Sequence, residues 1–141
     1  MRVSRKSKKK KVALFVDLES ARDLQTILKI YDVASTYGDI IYSCLYAEEK
    51  DLTLISTMSS DLGRKGFDIR VTIGPNEITM SLDLVEMAYR EDADILIACT
   101  RKTTLLPAFV EIKKRKKKLI VIAPISAPSA LEEIADEIKV V

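Results

Sequence analysis

Lys10-Lys11-Val12-Ala13-Leu14-Phe15-Val16-Asp17-Leu18-Glu19-Ser20 decides how the rest of the chain is read. Apolar residues run unbroken from Val12 to Val16. The run is too short for a buried helix and rich in β-formers, so it reads as a central strand covered on both faces. Asp17 and Glu19 follow at once, at the carboxyl end of that strand. In open α/β sheets ligands bind beyond that end, and two carboxylates there make a platform for a hard divalent cation. Asp17 can equally be read as the cap of the helix that follows.

Outward from this strand the apolar spacing switches between two periods. Leu24, Ile27, Leu28 and Tyr31 predict a helix over 20–37, with Ser20 as its N-cap and Gly38 as its stop. Residues 39–47 read as the second strand, and 49–64 as a helix with Leu52, Ile55 and Leu62 turned inward. Residues 67–73 alternate apolar with polar, as a strand near the sheet edge would. Beyond the Gly74-Pro75-Asn76 turn, Ile78, Leu82, Val85 and Tyr89 trace the stripe of a helix over 77–90, widened by Met80, Leu84, Met87 and Ala88. Glu77 falls in its first turn and Asp83 in its second.

Residues 94–99 are almost wholly apolar and predict another central strand, followed by a loop over 100–104. A helix over 105–116, with Pro107 in its first turn, leads to a strand over 117–123. After a turn, Ser129 caps a last helix, and 139–141 add a short edge strand. Strict alternation predicts an α/β fold: a three-layer, Rossmann-like parallel sheet of five or six strands, with helices on both faces and right-handed crossovers. The two most apolar strands, the first and the fourth, should be neighbours. Asp17 and the 100–104 loop would then meet at the switch point of the sheet.

Bulk properties narrow the function classes. A chain of 141 residues makes one domain, read as a basic, disordered tail over 1–10 and a folded unit over 11–141. Arg2, Arg5, Lys6 and Lys8 to Lys11 hold 7 of the 23 basic residues, leaving 16 against 21 acidic ones elsewhere. Such a tail either touches nucleic-acid phosphates or acts as a solubilising arm. No run is long enough to cross a bilayer and no signal-peptide pattern follows the basic start, so a cytoplasmic protein is expected. Cys44 and Cys99 sit in apolar runs and read as buried reduced thiols without zinc-ligand spacing. Histidine, the commonest general base, is absent. Gln25 and Asn76 are the only side-chain amides while Lys, Glu and Ile abound, a balance that suggests a thermophilic source.

No glycine-rich loop follows any strand, which argues against a dinucleotide site. Phe15-Val16-Asp17-Leu18-Glu19-Ser20 resembles the opening Val-Asp-x-Glu-Asn of the NYN domain, a branch of the PIN-like nuclease fold, with Ser20 in place of the asparagine. Ser81-Leu82-Asp83-Leu84-Val85 resembles the family's Val-Asp helix. Residues 94–99, Leu106-Pro107 and Leu119-Ile120-Val121-Ile122 are similar to its fourth strand, following helix and fifth strand. The resemblance covers about 11–141. It implies a ribonuclease ancestry, RNA as partner, and Mg²⁺ or Mn²⁺ held by carboxylates. Asp17 and Asp83 are then the catalytic candidates, and Asp17, Glu19, Glu77 and Asp83 the metal candidates; Asp83 and Glu77 also read as ordinary helix residues. A haloacid-dehalogenase-like phosphatase would also end its first strand on aspartate, but Asp17-Leu18-Glu19-Ser20 lacks that signature's second aspartate.

One departure from the family pattern bears on activity. Members usually follow the fourth strand with Ser-Gly-Asp-Ser-Asp-Phe, whereas here the run is Thr100-Arg101-Lys102-Thr103-Thr104-Leu105. Lys102 and Thr104 stand where carboxylates would be, and an ammonium repels a cation. Hydrolysis is expected to be weakened or lost, with Lys102 pairing to Asp17. The alternative is a non-catalytic module in which Arg101, Lys102, Thr103 and Thr104 gather round a phosphate of RNA. The basic run 113–118 lies at the other end of the strands and reads as helix-end stabilisation rather than a contact shared with that loop. Tyr42, Tyr46 and Tyr89 read as core residues, and a homodimer is compatible with the sequence.

Overall fold

The computed structural model describes residues 9–141, so most of the basic tail lies outside the described residues. β1 (Lys11–Asp17) is buried from Val12 to Asp17. Its alternation splits the core in two: Val12, Leu14 and Val16 face one layer, Ala13 and Phe15 the other. In chain order α1 (Leu24–Ser35), β2 (Asp39–Glu48), α2 (Leu52–Lys65), β3 (Asp68–Thr72), α3 (Asn76–Tyr89) and β4 (Ile95–Cys99) follow. They are succeeded by α4 (Leu106–Lys114), β5 (Lys118–Ala123), α5 (Ser129–Ile134) and β6 (Glu137–Val140).

All six strands are parallel, in the order β3-β2-β1-β4-β5-β6. Residues of α1 and α2 cover one face of the sheet, and those of α3, α4 and α5 the other. β1 and β4 are neighbours, Val16 opposite Cys99, so the residues following each strand emerge on the same rim. β3 is an edge strand with no fully buried residue, in keeping with its alternating sequence. Cys44 and Cys99 are buried free thiols, and burial pushes Cys44 up to about 11.

Tertiary packing overturns several local readings. Asp23, not Ser20 or Asp17, caps α1, its Oδ1 accepting the Thr26 N–H at 2.9 Å. The cap therefore falls three residues later than expected, because the Ser20 and Asp17 side chains are bonded to each other at the end of β1. Pro128 occupies the N-cap position of α5 and Ser129 is its first helical residue. Glu49–Asp51 form a 3₁₀ turn before α2, whose Leu52 is 52 % exposed while Ile55, Met58 and Leu62 are buried. On α3 the expected stripe lies on the wrong face: Ile78, Leu82 and Tyr89 are exposed, and Met80, Leu84, Met87 and Ala88 are buried. A helix apolar on two sides satisfies the 3.6-residue period on either, and contact with the sheet and α4 selects the face. Tyr46 is fully buried, whereas Tyr89 is not a core residue.

Candidate functional site

β1 ends on a carboxylate that is fully buried and enclosed by donors. Asp17 Oδ1 accepts the Glu19 N–H at 3.1 Å and the Asn76 amide at 2.9 Å. Asp17 Oδ2 accepts the hydroxyls of Ser20 at 3.0 Å and Thr100 at 3.3 Å. Asn76 is itself fully buried and also donates to the Tyr46 carbonyl at 2.9 Å, tying the start of α3 to β1 and β2. Its backbone N–H donates to Glu48 Oε2 at 3.0 Å. A buried charge must be paired or hydrogen-bonded to persist, and Asp17 is both.

The paired charge is Lys102. Its ammonium lies 3.6 Å from Asp17 Oδ1, donates to Glu77 Oε1 at 2.9 Å and to Asn76 Oδ1 at 2.7 Å, and ion-pairs with Glu19. Only 19 % of the Lys102 side chain is exposed. Burial works against its charge, yet the hydrogen bonds to Glu19 and Glu77 and the charge of Asp17 outweigh that cost and hold the ammonium above its ordinary pKa. For Glu77 burial alone would raise the carboxyl; the Lys102 hydrogen bond and charge prevail and lower it. Lys50 adds a second, exposed cation 3.6 Å from both Glu19 and Glu48.

Glu19, Glu48 and Glu77 each offer a carboxylate oxygen within 4.8 Å of the other two. Hard oxygen donors of this kind suit Mg²⁺ or Mn²⁺. The Lys102 ammonium stands among them, however, contacting Glu19 and Glu77 as well as Asp17. With Lys102 in this position the oxygens of Glu19 and Glu77 are already taken by a cation, and a divalent ion does not fit beside it.

The loop after β4 is divided rather than gathered round one point. Lys102 turns inward to the carboxylates, while the exposed Arg101 donates through Nε to the Ser126 carbonyl at 2.7 Å and through its backbone to Ser20 Oγ at 3.0 Å. Thr103 and Thr104 are exposed in the 3₁₀ turn Thr103–Leu105 that leads into α4. Asp83 takes part in a different network. It accepts the Tyr46 hydroxyl at 2.7 Å and the Arg70 guanidinium at 2.9 Å, beside Tyr42. Burial, with Cys44, Tyr42 and Asp83 adding to it, pushes the Tyr46 phenol well above its usual value and keeps it a donor.

Asn76 and Glu48 are the participants that sequence reasoning missed; Thr100 lies in the loop expected beside Asp17, and Ser20 reads from sequence as a helix cap rather than as a donor to Asp17. Asn76 had a compositional signal, being one of only two side-chain amides in the chain. Glu48 ends the strand adjacent to β1 and therefore belongs to the same rim by topology.

Two comparisons bear on this rim and its fold. The chain is 34% identical over 113 residues to an uncharacterised protein of Methanocaldococcus jannaschii, an alignment that takes in 77% of this chain. It spans 44% of the length of that relative. Residues 11–140 match the NYN domain, which covers nearly the whole chain. A parallel six-stranded sheet with an aspartate at the end of its first strand, joined to that match, makes this chain a member of the NYN domain family, with the PIN-like nuclease-type fold.

Proposed function

We propose that this domain acts on RNA as a binding module of ribonuclease ancestry, with metal-dependent phosphodiester hydrolysis weakened or lost. Family membership supports RNA as the partner. The observation that carries the loss of hydrolysis is the Lys102 ammonium seated among Asp17, Glu19 and Glu77. NYN nuclease-type domains generally depend on a divalent cation, and here Asp17, Glu19 and Glu77, the carboxylates that could hold one, are engaged by a lysine. Arg101, Thr103 and Thr104 remain exposed on that rim as the groups that meet a phosphate. Lys102 contributes there by reducing the negative potential of the carboxylates, which would otherwise repel RNA more strongly.

Purified protein incubated with labelled single-stranded RNA and Mn²⁺, beside an Asp17→Asn control, tests this reading. The expected result is binding without cleavage. Cleavage that disappears in the control overturns the loss of hydrolysis, and absence of binding at any salt overturns RNA as partner.

A further inference from the structure

The pole of the sheet opposite Asp17 has a charge pattern of its own. There the amino ends of β1, β4 and β5 lie side by side, the Asp94 N–H donating to the Lys11 carbonyl at 2.9 Å and the Lys118 N–H to the Asp94 carbonyl at 3.3 Å. Two basic segments far apart in sequence, Lys9 to Lys11 and residues 113–118, are thereby brought together. Part of this charge has a structural use. Lys117 donates to the carbonyls of Arg90 and Ala93, just past the end of α3, at 2.8 and 2.6 Å. Lys113 pairs with Asp136, Lys114 with Glu111 at 3.3 Å and Lys9 with Asp39 at 3.9 Å.

Helix-end stabilisation and local pairing stop there. Lys10, Lys11, Arg115, Lys116 and Lys118 are exposed and, among the described residues, none has a carboxylate within 4.0 Å of its charged nitrogens. Lys10, Arg115, Lys116 and Lys118 line one open cleft with Tyr37 and Asp94. Asp94 is the one carboxylate in that lining, and its Oδ2 accepts the Lys11 N–H at 2.8 Å. Lys118 lies 5.9 Å over the Tyr37 ring, and Arg115 4.5 Å over that of Tyr89. Lys116 adopts φ 62° after α4, a conformation that costs least for glycine, so a charge is presented there at a backbone cost. Arg2, Arg5, Lys6 and Lys8 precede this pole in sequence. Cations spread along a cleft, rather than converging on a point, match a chain of phosphates better than a single anion.

We propose that this cleft is a second RNA contact, taking the phosphate backbone of a single strand at the pole away from the acidic rim. The inference rests on RNA as the partner of the domain, and it places most of the affinity on a surface separate from Asp17 and Lys102.

Fluorescence anisotropy with a labelled single-stranded RNA, titrated at several salt concentrations, tests it. The full chain is compared with a Lys10→Gln, Lys116→Gln, Lys118→Gln triple variant and with Lys29→Gln, an exposed cation on α1, circular dichroism confirming that each is folded. The triple variant is expected to bind at least about tenfold more weakly near physiological salt, with a log K against log salt slope flatter by about 2, at roughly 0.7 for each phosphate that is no longer neutralised. Lys29→Gln should leave affinity and slope as they are in the wild type. Wild-type binding that the triple variant retains within twofold, slope included, overturns the cleft while RNA as partner stands. A wild type that binds no RNA overturns both, as does a wild type that binds anionic vesicles in its place.

Discussion

Replacing Lys102 with methionine keeps the aliphatic stem and removes the ammonium that sits 2.9 Å from Glu77 Oε1 and 3.6 Å from Asp17 Oδ1. A Mg²⁺ or Mn²⁺ ion held by Glu19 and Glu77 would compete for the oxygens that this nitrogen contacts, and a separation on the order of 4 Å serves to gauge their repulsion. Two unit charges at this distance repel by about 1 kcal/mol at the dielectric of water and about 4 kcal/mol at an effective value of 20. For a divalent ion these figures double, to about 2 and about 8 kcal/mol. Lys102 can escape the larger figure only by swinging out, which breaks its contacts with Asn76, Glu77, Glu19 and Asp17. The lower figure is therefore the safe expectation, and about 2 kcal/mol corresponds to roughly thirtyfold in affinity. Titration of Mn²⁺, followed by the electron paramagnetic resonance of the free ion, should show Lys102→Met binding about thirtyfold more tightly than wild type, or more. Without metal the variant should melt earlier, since Asp17 and Glu77 then lose their counter-charge and Glu19 keeps only the exposed Lys50, and Mn²⁺ should restore the loss. Equal Mn²⁺ affinity in the two proteins, within about threefold, would refute the idea that Lys102 holds the cation's place.

Asp83→Asn should lower stability in urea denaturation by about 1–3 kcal/mol, because it weakens charge-assisted bonds from Tyr46 and Arg70. It should leave RNA affinity unchanged within about twofold; a loss of about tenfold would return Asp83 to the site. Asp136 joins β5 to the start of β6, its Oδ2 accepting the Leu119 N–H at 2.7 Å and its Oδ1 pairing with Lys113. Burial raises its carboxyl, but the Leu119 N–H and Lys113 more than compensate and hold it below the ordinary value. A depressed folded pKa stabilises the protein above the unfolded pKa, and that contribution fades as pH falls through the folded one. Asp136→Asn should thus cost about 1 kcal/mol near neutral pH and progressively less in thermal melts below the usual carboxylate range.

The alternation of β1 shows how much was legible locally. Val12 to Val16 predicts a doubly covered strand from composition alone, and the structure buries all five. The strict succession of strands and helices likewise points to a parallel sheet, with the first and fourth strands adjacent. Both are properties of short windows, where apolar period and turn chemistry act within a few residues. Side-chain caps were less legible. Ser20 has the right residue type, but its hydroxyl bonds to Asp17 and accepts from Arg101, 81 residues away in sequence.

The sequence by itself determined the element order, the PIN-like class, the acidic end of β1 and the lysine in the loop after β4. It could not say which face of α3 would be buried, because Ile78 and Leu82 satisfy the helical period as well as Met80 and Leu84 do. Nor could it join Asp17 to Asn76, 59 residues apart, or send Lys102 inward while Arg101 turned to Ser126. Those choices belong to the tertiary structure. They are settled by desolvation: once the sheet forms, the buried Asp17 carboxylate requires donors and a counter-charge, and only residues from other segments are near enough to supply them.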